Sequence, residues 1–199
     1  MIERSNYMLA SLCSLVLIFS AFVSVARAEE GLYAEPVSAD AAFVRYFGEA
    51  PAKLALNGEK LPTSDMEPGL YSDFSSEAFA GLQAGAFYTL VLDADGNVLD
   101  QIMGTSPKTG KSLLSLINLT DDNAVSLKTA DGSVDILNNV ATSTLGEREV
   151  NPITVPVRVF GAADYAQQDL ALQANAIVTI VALPGGESQV LTDLIQNRR

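Results

Sequence analysis

Along the chain, apolar residues fall in short runs divided by Gly, Pro, Asn and Asp. Phe43-Val44-Arg45-Tyr46-Phe47, Phe87-Tyr88-Thr89-Leu90-Val91 and Leu113 to Leu119 are near-continuous apolar stretches. Residues 153–159 alternate instead. Ile153, Val155, Val157 and Val159 face one way, while Thr154, Pro156 and Arg158 face the other. Runs of this length, bounded by turn residues, predict strands rather than helices. Pro156 cannot donate to a ladder, which places its strand at a sheet edge. The only helical alternative spans 164–176, and the repeat described next argues for a strand at 169–172 instead.

The pattern recurs. Leu82-Gln83-Ala84-Gly85-Ala86-Phe87-Tyr88-Thr89-Leu90-Val91 is followed by Gly96, and ninety residues later Leu172-Gln173-Ala174-Asn175-Ala176-Ile177-Val178-Thr179-Ile180-Val181 is followed by Gly186. Leu, Gln, Ala, Ala, Thr, Val and Gly stand in register. Further upstream, Phe43–Phe47, Ala52–Leu56 and an Asn57-Gly58 turn correspond loosely to Leu113–Leu119, Val125–Lys128 and an Asp131-Gly132 turn. The second copy carries extra residues around 138–151. The expectation is an all-β chain of two tandem antiparallel β-sandwich modules, residues 29–104 and 111–199, each of about 75–85 residues. They are joined by a Gly/Ser/Thr/Pro-rich linker over 105–110.

The first 28 residues do not belong to that pattern. An apolar run from about Met8 to Ala26 ends in Ala26-Arg27-Ala28, the layout of a secretory signal peptide cut after Ala28. This predicts export to the periplasm. Cys13 leaves with the leader, so the mature chain has no thiol and depends on its core alone. Losing Arg4 and Arg27 against Glu3 leaves a net charge near −13. That argues against nucleic acid, an anionic bilayer or non-specific binding of a polyanionic sugar.

The chain contains no histidine. Ser-His-Asp and Cys-His catalysis, and most zinc sites, therefore have no base or ligand to use. The remaining motifs each have a plain structural reading. Gly104 to Ser112 resembles a phosphate loop but has Thr105 where glycine is needed, and a strand follows instead of a helix. Asp93-Ala94-Asp95-Gly96-Asn97 resembles a calcium loop but lacks its later acidic ligands, so a hairpin turn is expected. Asn118-Leu119-Thr120 reads as a strand end with a capping hydroxyl. Tyr46 and Tyr88 lie in apolar runs and read as core, and the absence of tryptophan weakens a sugar-stacking platform. Lys111 and Ser112, adjacent on a strand, point to opposite faces and form no dyad. No cofactor and no metal site is expected. The most concentrated polar segment is Gly146-Glu147-Arg148-Glu149-Val150-Asn151-Pro152. It reads either as a solvated loop or as a recognition loop on a rigid scaffold.

Lys111-Ser112-Leu113 through Asn118-Leu119, Ser126-Leu127-Lys128-Thr129-Ala130-Asp131-Gly132 and Gly146 to Pro152 together resemble the AlgF family of alginate O-acetylation proteins. Gly31-Leu32-Tyr33, Phe43-Val44-Arg45 and Phe87 to Val91 fit the same pattern. The resemblance implies a periplasmic, non-catalytic accessory of exopolysaccharide acetylation. Its partners would be a membrane-bound O-acyltransferase and SGNH-type acetyltransferases, and its polymer alginate or a relative such as acetylated cellulose. It favours recognition over a bare loop at 146–152, making Glu147, Arg148, Glu149 and Asn151 the partner-binding residues, with Arg148 first. The competing expectations are an acetyl carrier or transferase using Ser, Thr or Lys, and a polysaccharide-binding module.

Overall fold

A computed structural model of the chain describes residues 37–48, 54–56, 59–64, 66–93 and 95–194. The leader, Tyr33 and the Asn57-Gly58 turn lie outside the described residues. The strands, in order, are β1 (Ala41–Phe47), β2 (Leu54–Leu56), β3 (Glu59–Leu61), β4 (Ser72–Ser75), β5 (Phe87–Leu92), β6 (Val98–Gly104) and β7 (Ser112–Asn118). They continue as β8 (Ala124–Thr129), β9 (Asp135–Ala141), β10 (Thr144–Val150), β11 (Thr154–Phe160), β12 (Gln168–Ala171), β13 (Ala176–Ala182) and β14 (Ser188–Leu194). The described residues are nearly all β, with one short 3₁₀ turn at Pro184–Gly186.

The sheets form two sandwich-like modules, and the internal repeat explains their order. One central sheet runs β4-β1-β5-β6 and the other β10-β7-β13-β14, the same order built from corresponding strands. The β2-β3 hairpin covers the first. The sheet β12-β11-β8-β9 covers the second. The repeated turn before β5 and β13 needs a left-handed residue in each copy. Gly85 (φ 77°) supplies one and Asn175 (φ 59°) the other, the two residue types that adopt that conformation most readily.

Four expectations need correction. The modules are not purely antiparallel, because β1 pairs parallel with β5 and β7 parallel with β13. Parallel strands are usually buried on both faces, which is why these four read as near-continuous apolar runs. Second, β11 is an interior strand, flanked by β12 and β8. Pro156 is tolerated there because it lies opposite Ala130, just past the end of β8. Its carbonyl accepts from Ala130 N at 2.9 Å, and the one return bond its missing N–H forgoes falls beyond the paired residues of β8. Third, the main insertion in the second copy is the β11–β12 pair, not residues 138–151. Fourth, residues 144–150 are the strand β10 and not a loop.

The two central sheets also pack on each other. Phe43 and Phe87 meet Leu113 and Ile177 at one end, and Val91 and Ile102 meet Ile117, Val181 and Leu191 at the other. Strand starts face strand starts. The outer strands cross over: Tyr71 N, beside β4, donates to Asp193 Oδ2 on β14 at 2.7 Å, and Thr105, beside β6, bonds Glu147 on β10. The copies are therefore related by an approximate two-fold axis parallel to the strands.

Between the two apolar ends lies a polar layer. Its register is set by the strand pairing, which places Arg45 beside Thr89 and Ser115 beside Thr179. Arg45, 1% exposed, donates from Nε to Thr89 Oγ1 at 2.9 Å and from Nη2 to Thr179 Oγ1 at 2.7 Å. Its guanidinium carbon sits 4.4 Å from the Tyr71 ring centre. Burial pushes the Arg45 pKa down, while Tyr71, Asp193 and Glu147 push it back up. Arg45 Nη1 and Ser115 Oγ are buried without a hydrogen-bond partner.

Candidate docking site on the β10 edge

Strand β10 pairs with β7 on one side, and on the other its side chains meet the start of β9 and the 105–111 segment. Gly146 is required by close approach. A Cβ there would stand 2.6 Å from Val140 Cγ2, so the β9–β10 corner closes only on glycine.

From that point the side chains alternate. Glu147 and Glu149 hold the inter-module segment. Glu147 accepts from Thr105 N at 3.1 Å and Thr105 Oγ1 at 2.9 Å. Glu149 forms an ion pair with Lys108 at 2.7 Å. Burial raises the Glu147 pKa against the lowering by the Thr105 hydrogen bonds and Arg45. The Lys108 hydrogen bonds lower that of Glu149. Arg148 points the other way, its Nη1 donating to the carbonyls of Asp135 at 3.2 Å and Ile136 at 3.1 Å. Those carbonyls lie on β9, an edge strand, so Arg148 covers an edge that would otherwise invite pairing. Beyond the strand, Asn151 Oδ1 accepts from Lys111 Nζ at 2.5 Å.

Three of the four expected residues, Arg148, Glu149 and Asn151, border one cavity of about 390 Å³ at the open end of the C-terminal sandwich. Glu147 does not; it faces the module junction. The cavity is floored by Leu114, Val150, Val155 and Leu172 and flanked by Val134 and Ile153. The sequence pattern missed Val134, Ile136 and Lys108. Val134 carried no signal because it follows a turn, and Lys108 sat inside a segment that looked like a free linker. Ile153, which the alternation groups with Val155, Val157 and Val159, is 49% exposed.

The other motifs resolve as structure. Asp93 Oδ1 accepts from Asp95 N and Asn97 N, closing a hairpin turn between β5 and β6. Asn118 ends β7, is buried, bonds the carbonyls of Asp122 and Val140, and accepts from the Thr120 hydroxyl at 2.7 Å. Ser112 is buried against the Ala176 carbonyl while Lys111 reaches outward to Asn151. Tyr46, Tyr71, Tyr88 and Tyr165 are all buried, which leaves no tyrosine platform for sugars among the described residues. Among those residues there is no metal-binding group of three or more acidic, His or Cys side chains. No helix among them is long and apolar enough to cross a membrane.

A match to the family described as "Alginate O-acetyl transferase AlgF" spans residues 14–179. The chain belongs to the AlgF family. It is 31% identical to an alginate biosynthesis protein AlgF of Pseudomonas fluorescens, over 85% of this chain and 79% of that one. It is also 31% identical to AlgF of Pseudomonas aeruginosa PAO1, over 74% of each chain. The structure of the C-terminal domain of P. aeruginosa AlgF matches at 27% identity and a TM-score of 0.35, over 42% of this chain and 96% of that one.

Proposed function

We propose that this protein is a non-catalytic periplasmic accessory of polysaccharide O-acetylation. It holds acetylation proteins together rather than transferring acetyl groups, and its polymer is alginate or a related exopolysaccharide. The observation that carries this reading is the AlgF family match across most of a chain that contains no histidine. Acetyl transfer by an activated serine normally uses an imidazole base, which other members of the assembly would have to supply. The family description names a transferase, so the transferase reading is the one to test against.

The test has two arms. In cells lacking the gene, polymer acetylation is measured with and without the full chain, and the chain is pulled from native membranes to identify its partners. Restored acetylation with co-purification of an O-acyltransferase or an SGNH-type acetyltransferase supports the reading. In the second arm, purified protein is incubated with an activated acetyl donor. Turnover, or an acetyl adduct at one defined hydroxyl, would overturn the accessory role in favour of a carrier or transferase. Titration with neutral and anionic oligosaccharides tests the third alternative, a sugar-binding module.

A further inference from the structure

The cavity bordered by β10 combines exposed apolar walls with a cationic rim. Val134 is 53% and Ile153 49% exposed, two of the six exposed large hydrophobics among the described residues, and both flank this one cavity. Its rim is cationic in a strongly acidic chain. Lys111 and Arg148 border it, and the one bordering carboxylate, Glu149, is neutralised by Lys108. Among the described residues, the hydrogen bonds of Arg148 all run through Nη1 to β9 carbonyls, and the side chain is exposed. That leaves the rest of its planar fork facing outward for a carboxylate.

The other half supplies an internal contrast. Strand β4 corresponds to β10, and the cleft beside it, about 600 Å³, is bordered by Glu67 and Asp73 with no Lys or Arg. In the repeat register Asp73 corresponds to Glu149 and Ser72 to Arg148, so the two clefts share a carboxylate and only the second adds cations.

We propose that the β10 cavity seats a loop of a partner acetylation protein, with an apolar side chain on the Leu114–Val155 floor and an adjacent carboxylate on Arg148 and Lys111. This rests on the accessory reading above and names the surface and partner chemistry it uses. Buried apolar anchors ringed by polar contacts carry most of the energy of such interfaces. Charge complementarity selects the partner.

The test uses the full chain in polymer-producing cells. The photocrosslinker p-benzoylphenylalanine is placed at Val134 and, separately, at Ile153, and crosslinked peptides are sequenced. The expected product is a protein segment with an apolar residue within two positions of Asp or Glu. Crosslinks to sugar, to a basic or wholly polar segment, or to nothing at both positions overturn the proposal. In parallel, Ile153→Asp and Val134→Asp alter exposed side chains and should fold with unchanged melting temperatures. Each should weaken partner co-purification by about thirtyfold or more. If deleting the gene abolishes acetylation but both variants retain wild-type acetylation and co-purification, the cavity is not the dock and the accessory reading stands. If deletion leaves acetylation intact, the accessory reading itself fails.

Discussion

The two halves of the molecule share a strand order, a parallel central pair and a turn, yet they are finished differently. The C-terminal half covers its central sheet with four strands over a core that includes Leu116, Leu127, Val157 and Ile180. The N-terminal half uses a two-stranded hairpin over a smaller core around Val44, Leu54, Tyr88 and Leu90. What they hold in common is the shared face, where Phe43 meets Leu113 and Val91 meets Ile117. The doubly buried sheets are therefore the part of the repeat that cannot vary. The outer layers are free to diverge, and they do so from a two-stranded hairpin to a four-stranded sheet.

The sharpest break of that shared face is Arg45→Ala. It leaves a cavity and strips Thr89 and Thr179 of their donor, and should cost about 3–5 kcal/mol in denaturant unfolding. Arg45→Met fills the space without a charge. Since apolar replacements of buried ions are often neutral or stabilising, it should unfold within about 1 kcal/mol of wild type or later. A loss as large as that of the alanine variant would show that the polar layer itself contributes stability. Next come matched core truncations. Ile180→Ala and Leu90→Ala should each cost about 2–5 kcal/mol, with Ile180 the larger because four strands relax less readily around a void than a hairpin does. Equal losses would mean that the two cores are equally rigid.

Titration distinguishes the junction from the outer turns. Asp131 is held at about 2 by hydrogen bonds from the Thr129 hydroxyl and from Ser133. Its contribution is complete above the unfolded value of 3.8 and is lost as pH falls toward 2. Asp131→Asn should flatten the fall in melting temperature across that window. Glu147 behaves oppositely. Burial raises its pKa above 4.5, so the folded state binds the proton more tightly and stability declines as pH rises through that value. Glu147→Gln should remove that decline while leaving the acid limb unchanged. The smallest effect is expected from Lys108→Ala. Its exposed ion pair with Glu149 should contribute about 0.2–1 kcal/mol, read as a small shift in unfolding midpoint that vanishes at high salt.

Much of the fold was legible because β1, β5, β7 and β13 are buried on both faces and announce themselves as apolar runs. The repeat around Thr89 and Thr179 also announced two corresponding modules. Parallel pairing was not legible, since apolar continuity marks burial and not direction. Pro156 misled because proline at an interior strand looks forbidden until the neighbouring strand is seen to stop at Thr129. Residues 146–152 misled in another way. Their alternating charges look solvated in sequence, but Glu147, Glu149 and Arg148 each find an internal partner, which only the fold could bring within reach. The docking cavity was half legible, through Arg148, Glu149 and Asn151. Its apolar lining comes largely from β7, β9 and β11, distant segments that no local pattern joins.

Arg45 and Ser115 occupy corresponding places beside the axis that relates the two copies. In an assembly of two identical chains, any residue at such a place must tolerate its own image across the axis. Two arginines there would bring like charges together in a dry interior, and two serines would leave the centre underfilled. A single polypeptide carrying both copies escapes that constraint, because one copy can supply the large cation and the other the small hydroxyl. Covalent duplication here does more than double a module: it lets the seam be asymmetric, and so fixes which half is which.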